Sequence, residues 1–282
     1  MRSLMSPQEL TRELDDLTVL DVRWRLGRSD GREQHLSGHV PGAAYVDLET
    51  DLADPPADPV DDRGRHPLPD PERFAAAMRR CGVRPDRPVV VTDDWSGMAA
   101  TRAWWLLRFH GHPDVRVLDG GWTGWLAAGG AVETGSAHVE PGTLVADPGH
   151  LPVLDAAAAA EVARRGVLLD ARAAERFRGE VEPVDPVAGH VPGAVNVPTS
   201  ANLREGRFRT PAELASAYAV TSGAEQVGAY CGSGVTATHD VFALHLLGRE
   251  AALYAGSWSG WVADPHREVA TAAVEHGRSR PR

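Results

Sequence analysis

The chain has 282 residues, of which 43% are hydrophobic and 24% charged, and this composition indicates a folded protein of about two domains. Every basic residue is an arginine, which excludes catalysis by a lysine amine, and the formal net charge of −10 argues against a nucleic-acid partner. No apolar stretch has the length of a signal peptide or of a membrane-spanning helix, so we expect a cytoplasmic protein without a membrane partner.

The predicted elements alternate between short apolar strands and longer helices. The strands are expected at Thr18–Asp21, Val89–Thr92, Val115–Leu118, Val167–Asp170, Val227–Tyr230 and Ala252–Tyr254. Apolar residues at helical spacing predict helices over 99–110 and 236–247, each followed by a glycine. Residues 54–71 are dense in proline and aspartate and predict a long loop of a kind that is often functional. Such alternation favours an α/β fold with mainly parallel sheets flanked by helices.

The chain contains an internal duplication. The hexapeptide Gly-His-Val-Pro-Gly-Ala occurs at 38–43 and again at 189–194. A similar pair, Gly-Gly-Trp-Thr-Gly-Trp at 120–125 and Gly-Ser-Trp-Ser-Gly-Trp at 256–261, occurs near the end of each copy. A repeat of this length contains whole strands and helices, so it predicts two tandem domains rather than a solenoid. The predicted divisions are a first domain over 1–130, a linker over 131–151 and a second domain over 152–276.

One cysteine lies where parallel α/β domains bind ligands. Cys231 follows a predicted strand and precedes a predicted helix, and its loop reads Cys-Gly-Ser-Gly-Val-Thr over 231–236. Two glycines let such a loop turn its N–H groups inward around an anion, and the helix dipole also favours a thiolate. We therefore predict that Cys231 is a nucleophile. Four residues are expected to bind sulfur or substrate through their N–H groups: Gly232, Gly234, Val235 and Thr236.

The other cysteine has a different setting. Cys81 lies at a predicted helix end before a glycine, where we expect it to pack in the core. The two cysteines are far apart in the sequence and form no Cys-x-x-Cys or Cys/His cluster. The spacing therefore indicates neither a disulfide framework nor a metal site.

Residues 231–237 resemble the active-site loop of the rhodanese superfamily, in the form typical of mercaptopyruvate sulfurtransferases. The duplicated histidine and tryptophan segments are similar to other motifs of that family, so the resemblance covers nearly the whole chain. It implies two tandem rhodanese-like domains, of which only the second is catalytic. Alignment of the two copies through Gly111 and Gly248 places Asp94 at the position of Cys231, so we expect no persulfide in the first copy.

The resemblance implies a sulfurtransferase that works by a ping-pong mechanism without a cofactor. The Cys231 thiolate would take the outer sulfur of a small-molecule donor, 3-mercaptopyruvate or thiosulfate, and hold it as a persulfide. The acceptor would be cyanide or a thiol, such as thioredoxin or a low-molecular-weight thiol. Inward-pointing N–H groups would stabilise both the thiolate and the anionic persulfide without a metal.

The resemblance also assigns residues around the cysteine. Ser233 matches a family serine that acts with a histidine and an acidic residue of the first domain, and His66 matches the histidine. The acidic member is open between Glu49, which matches in position, and its neighbour Asp47. A hydroxyl, an imidazole and a carboxylate can relay a proton to the enolate left when sulfur departs. Arg176 matches the family arginine that binds the donor.

The sequence leaves the sulfur donor open, and it allows two functions other than sulfur transfer. A second family arginine is absent from 181–186, which reads Val-Glu-Pro-Val-Asp-Pro, so the sequence does not choose between mercaptopyruvate and thiosulfate. A non-catalytic sulfur carrier or binding module of the same fold is the main alternative. A cysteine-dependent phosphatase is less favoured, because Ala237 stands where the Cys-x5-Arg pattern needs its arginine.

Overall fold

The computed structural model describes residues 3–271, and the first half of the chain forms a five-stranded sheet flanked by helices. Its strands are β1 (Leu4–Met5), β2 (Thr18–Asp21), β3 (Ala44–Tyr45), β4 (Val89–Thr92) and β5 (Val115–Leu118). Its helices are α1 (Pro7–Glu13), α2 (Gly31–Ser37), α3 (Leu48–Asp51), α4 (Pro71–Arg80), α5 (Ala100–Phe109) and α6 (Gly121–Ala127). Ser6 and Glu9 form a capping box at the start of α1, and the Asp70 carboxylate caps α4.

The second half repeats this arrangement and adds a short hairpin. Its sheet contains β6 (Val153–Leu154), β7 (Val167–Asp170), β8 (Val195–Asn196), β11 (Val227–Tyr230) and β12 (Ala252–Tyr254), and the hairpin is β9 (Leu203–Arg204) with β10 (Arg207–Phe208). The helices are α7 (Ala156–Arg165), α8 (Ala174–Phe177), α9 (Pro211–Ala217), α10 (Ala237–Leu246) and α11 (Ser257–Trp261). Residues 129–152, between α6 and β6, contain no helix or strand.

The two sheets have the same topology. Their strand orders are β1-β5-β4-β2-β3 and β6-β12-β11-β7-β8, and every neighbouring pair is parallel. The predicted α/β class with two parallel sheets is therefore confirmed. The six predicted strands have the predicted bounds, and α5 and α10 are one residue shorter at each end than expected. The two-residue strands β1, β3, β6 and β8 were not predicted, because they are too short to show an apolar period.

The helices that follow the two central strands pack against each other. The rings of Trp104 on α5 and Phe242 on α10 lie 4.8 Å apart edge to face, and the hydroxyls of Thr101 and Thr238 lie 3.1 Å apart. These residues are buried in a core that contains side chains of both halves. The packing holds the loop before α10 close to residues of the first half. Within residues 3–271, no helix has the length and apolar character needed to cross a membrane.

Candidate active site

Cys231 lies at the carboxyl end of the central strand β11, and its loop is fixed by the residues before and within α11. Cys231 N–H donates to Ser257 Oγ at 3.1 Å, and the carbonyl of Cys231 accepts from Trp258 N–H at 3.0 Å. Gly234 has a φ of +79°, and a Cβ there would lie 2.3 Å from the carbonyl oxygen of Ala255. Glycine is therefore required for the loop to follow this path.

The thiol of Cys231 is almost fully buried, with 3% of the residue exposed. Gly234 N–H donates to Sγ with an N···S distance of 3.2 Å. Within residues 3–271, the structure gives no acceptor for the other four N–H groups of the loop, those of Gly232, Ser233, Val235 and Thr236. One N–H of the predicted cradle therefore contacts the sulfur, and the remaining N–H groups can donate to an anion.

The first half has a carboxylate at the equivalent position. Thr92 pairs with Asp21 as Tyr230 pairs with Asp170, so the residue equivalent to Cys231 is Asp93, and the alignment to Asp94 was wrong. The loop before α5 is one residue longer than the loop before α10, and an alignment anchored on the helix ends shifts the position by that residue. Trp122 N–H donates to the carbonyl of Asp93, as Trp258 does to Cys231.

The Asp93 side chain fills its own loop. Its Oδ1 accepts from Trp95 N–H at 3.0 Å and from Gly97 N–H at 2.8 Å. Its Oδ2 accepts from Ala99 N–H at 2.8 Å and from Ala100 N–H at 3.0 Å. Asp93 is fully buried. This fold therefore builds a four-donor anion site at the end of its central strand.

Ser233, His66 and Glu49 lie together beside the Cys231 loop. His66 Nδ1 lies 2.8 Å from Ser233 Oγ, and His66 Nε2 lies 3.2 Å from Glu49 Oε1. Trp24 Nε1–H donates to the same Glu49 oxygen at 2.6 Å. The hydrogen bond to His66 lowers the pKa of Glu49, against the opposing effect of partial burial. Asp47 instead accepts from the N–H groups of Glu49 and Thr50 and caps α3, so it does not contact His66.

A buried arginine joins the histidine segment to the cysteine loop. Arg102 lies on α5, and its guanidinium donates to the carbonyl of Gly234 at 3.0 Å and to the carbonyl of His66 at 3.1 Å. It also donates to the carbonyl of Leu52. Burial lowers the pKa of Arg102 to about 10, and the nearby Cys231 acts in the opposite direction. Arg102 thus aligns the two halves at the site.

Arg176 lies beside the loop and is paired with carboxylates. Its Nη2 lies 2.6 Å from Glu182 Oε1 and 3.5 Å from Asp185 Oδ2. A Cβ built on Gly232 would lie 3.6 Å from the guanidinium of Arg176 and 3.2 Å from that of Arg65. Arg65 in turn forms an ion pair with Asp185. The predicted arginine is therefore next to the cysteine loop, and a second one lies beside it.

No motif or periodicity of the sequence predicts the positions of Arg65, Asp185 and Arg102. Arg65 lies in the irregular loop before α4, and Asp185 lies just before the hexapeptide at 189–194, which we call the second histidine motif. Arg102 lies on the buried helix α5. The one available hint was an arginine directly before the predicted His66. Cys81 is buried as expected, and burial raises its pKa to about 11. No cluster of His, Cys, Asp and Glu residues within 3–271 could hold a metal ion.

Residues 6–128 and 154–264 both match the family model of the rhodanese-like domain. The chain belongs to the rhodanese family. This rhodanese is 47% identical over 262 residues to a Mycobacterium tuberculosis protein provisionally named thiosulfate sulfurtransferase SseB, covering 90% of this chain and 91% of that protein. It is also 47% identical over 279 residues to a Pseudomonas aeruginosa protein provisionally named 3-mercaptopyruvate sulfurtransferase. That match covers 95% of this chain and 98% of the Pseudomonas protein.

The fold of this rhodanese matches a solved structure over the same range. The crystal structure of SseA from Escherichia coli, described as a 3-mercaptopyruvate sulfotransferase, superposes with a TM-score of 0.80 at 33% identity. The match covers 92% of this chain and 100% of SseA. Both domains of this rhodanese are therefore included in the similarity.

Proposed function

We propose that this sulfurtransferase moves sulfane sulfur from 3-mercaptopyruvate or thiosulfate to a thiol or to cyanide through a persulfide on Cys231. The observation that carries the proposal is the pair of equivalent loops. One loop surrounds the Asp93 carboxylate with four N–H groups. The other, one residue shorter, places the Gly234 N–H on the sulfur of Cys231, and four of its other N–H groups have no acceptor among residues 3–271. Such a loop stabilises an anionic sulfur without a cofactor. The sulfurtransferases to which the chain is similar support this reading.

In the first half-reaction the Cys231 thiolate attacks the transferable sulfur of the donor. A sulfur–sulfur bond forms with the electron pair of the thiolate, and the bond between that sulfur and the rest of the donor breaks. The bonding pair leaves with the rest of the donor, as sulfite from thiosulfate or as the enolate of pyruvate from 3-mercaptopyruvate. The N–H groups of Gly232, Gly234, Val235 and Thr236 are proposed to hold the persulfide, and Arg176 the anionic group of the donor.

The two donors differ in their need for a proton. Sulfite leaves as a stable anion, whereas the enolate must gain a proton at carbon to become pyruvate. We assign this transfer to Ser233 and His66, with Glu49 as the carboxylate that orients the imidazole. The donor thiol supplies the proton, so the proton count balances. Asp47 is left with the capping of α3.

In the second half-reaction the acceptor attacks the outer sulfur of the persulfide. Cyanide leaves as thiocyanate and a thiol leaves as its own persulfide, and in both cases the Cys231 thiolate is restored. Thioredoxin and low-molecular-weight thiols are the acceptors that we propose. The deep burial of Cys231 favours acceptors with a small or extended attacking group.

We also propose the bounds and the roles of the two domains. Residues 152–276 are the catalytic domain, of which 272–276 lie outside the described residues, and 131–151 are the linker. Residues 1–130 have no nucleophile at the equivalent position, because Asp93 occupies it. This domain nevertheless contributes His66 and Glu49 to the site.

Steady-state sulfur transfer with Cys231→Ser tests the proposal, with Cys81→Ser as the matched control. We expect parallel double-reciprocal plots for the wild-type protein, loss of transfer with Cys231→Ser and near-normal transfer with Cys81→Ser. Retention of transfer by Cys231→Ser contradicts the proposal. Loading of sulfur without release to thiol or cyanide identifies a carrier instead.

A further inference from the structure

A chain of charged side chains of alternating sign, each buried or partly buried, runs from the end of β7 to the cysteine loop. Its members are, in order, Asp170, Arg172, Glu182, Arg176, Asp185 and Arg65. Arg172 Nη2 lies 2.6 Å from Asp170 Oδ2, and Arg172 Nη1 lies 3.4 Å from Glu182 Oε2. Three positive and three negative charges give the chain no net charge. The arginines near the cysteine are therefore paired with carboxylates, and their positive charges are balanced.

The last three members lie closest to the cysteine loop. The Asp185 side chain is 3% exposed and pairs with both Arg65 and Arg176. Both guanidinium groups lie beside Gly232, the residue that follows Cys231. Arg65 Nε is buried and has no hydrogen-bond acceptor within residues 3–271. Arg65 thus retains an unused donor in a side chain that lies beside the cysteine loop.

Two segments that differ between the halves bring these groups together. Arg65 belongs to the irregular chain between α3 and α4 of the first half, and its N–H donates to Ser259 Oγ of the second half at 3.1 Å. Asp185 belongs to residues 178–188, which separate α8 from the second histidine motif. His190 Nδ1 bonds to the carbonyl of Phe177, as His39 Nδ1 bonds to that of His35, so only residues 36–37 of the first half correspond to 178–188. The arginine and its partner are therefore specific to the catalytic site.

Building on the proposed function, we propose that Arg65 joins Arg176 in binding the anionic group of the donor, and that Asp185 makes the site select a monoanionic donor. The preferred class is a thiol that carries one carboxylate, such as 3-mercaptopyruvate, over the dianion thiosulfate. A guanidinium pair can share one further carboxylate through its free N–H groups. A second negative charge beside the buried carboxylates of Asp185 and Glu182 is repelled without an added cation to offset it.

The charge of Asp185 is tested by Asp185→Asn, which keeps the size and the acceptor oxygen of the side chain. Removing one negative charge strengthens the binding of both anionic donors, and it strengthens the binding of the dianion more. We expect the ratio of kcat/KM for thiosulfate to kcat/KM for 3-mercaptopyruvate to rise at least about tenfold, because the second negative charge of thiosulfate no longer lies near the Asp185 carboxylate. The ratio is measured within one preparation, so a loss of folded protein cancels. Glu180→Gln, on the same segment but exposed and paired with Arg178, is the control and leaves the ratio unchanged.

Arg65 is tested by Arg65→Gln, with Arg63→Gln as the control in the same loop, because Arg63 is exposed and pairs with Asp61. We expect Arg65→Gln to raise KM for both donors about tenfold or more, with an unchanged rate of sulfur release from preloaded protein. An unaltered donor ratio in Asp185→Asn, or unaltered KM values in Arg65→Gln, overturns the inference while leaving the persulfide mechanism intact. Failure of the wild-type protein to load Cys231 with either donor removes the proposed function as well.

Discussion

Asp93 occupies in the first domain the position that Cys231 occupies in the second, at the end of an equivalent central strand. The Asp93 carboxylate accepts four peptide N–H groups, whereas Cys231 Sγ accepts one, from Gly234. The loop of the first domain is therefore filled by its own carboxylate. In the loop of the second domain, four N–H groups have no acceptor among residues 3–271.

The role of Asp93 predicts a stability effect without a catalytic one. In Asp93→Asn the amide nitrogen faces two N–H donors, so we expect a loss of about 2–3 kcal/mol in the free energy of unfolding, as for a buried hydrogen-bonded charge. Asp94→Asn is the control, because Asp94 pairs with the 42% exposed Arg25, and its effect stays below about 1 kcal/mol. Urea denaturation measures the free energy of unfolding of both variants. Equal effects of the two substitutions contradict this account of the loop.

The fold and part of the site follow from local sequence. The central strands and the helices after them are long enough to show their periods, and the duplicated motifs predict two domains of one topology. Ser233, His66 and Glu49 lie together as expected, and only the direction of the side chains shows that Glu49 contacts His66 while Asp47 contacts the backbone of α3. Arg65 and Asp185 lie 120 residues apart and meet only because the domains pack together, so no local pattern indicates them. The Asp94 error arose from one additional loop residue, which only strand register reveals.

The assignment of Ser233 predicts an effect that depends on the donor. We expect Ser233→Ala to lower kcat with 3-mercaptopyruvate by about 10²-fold, because the enolate loses its proton relay, and to change kcat with thiosulfate by only a few fold. The exposed Ser222→Ala is the control. Pre-steady-state formation of pyruvate and sulfite gives the two rates. A similar loss for both donors shows that Ser233 acts on the persulfide and not on the enolate.

The acidic member of this set is tested by Glu49→Gln and Asp47→Asn. Glu49 contacts His66, so we expect Glu49→Gln to slow the mercaptopyruvate reaction about tenfold with a small effect on stability. Asp47 caps α3, so Asp47→Asn acts mainly on the free energy of unfolding, by at most about 1 kcal/mol. Turnover and thermal denaturation are compared for each variant. The reverse pattern would assign the carboxylate role to Asp47.

Arg176 is predicted to act on the donor half-reaction alone. Arg176→Lys keeps the charge and loses the planar fork, and we expect kcat/KM for the donor to fall by about ten- to a hundredfold. The rate at which preloaded persulfide reacts with cyanide stays the same. Arg178→Lys, two residues further on and exposed, is the control. An equal loss in both half-reactions disproves a donor-binding role.

Asp240 predicts a pH dependence of stability. Its burial on α10, beside Asn202 and Tyr218, raises its pKa to about 8. The folded state therefore binds a proton that the unfolded state has released, and stability falls as pH rises from about 4 to about 8, by up to ~1.4 kcal/mol per pH unit. Burial lowers the pKa of the adjacent His239 to about 4, so its opposing effect ends near its ordinary value of 6.5. Between pH 6.5 and 8 the contribution of Asp240 is therefore not opposed by His239.

We expect Asp240→Asn to flatten the decline of unfolding free energy between pH 6.5 and 8 and to stabilise the protein at pH 8. Urea denaturation across this range provides the measurement. Asp264→Asn, in the segment after α11 with its carboxylate 42% exposed, is the control and keeps the wild-type slope. Identical slopes for the wild-type protein and Asp240→Asn are incompatible with a protonated buried carboxyl group.

The most direct measurement is the mass of the cysteine-containing peptides after the purified protein reacts with one equivalent of donor. We expect one additional sulfur atom on the peptide that contains Cys231, none on the peptide that contains Cys81, and loss of the added mass after treatment with cyanide. An unmodified Cys231 peptide in a protein that still transfers sulfur would contradict the persulfide mechanism.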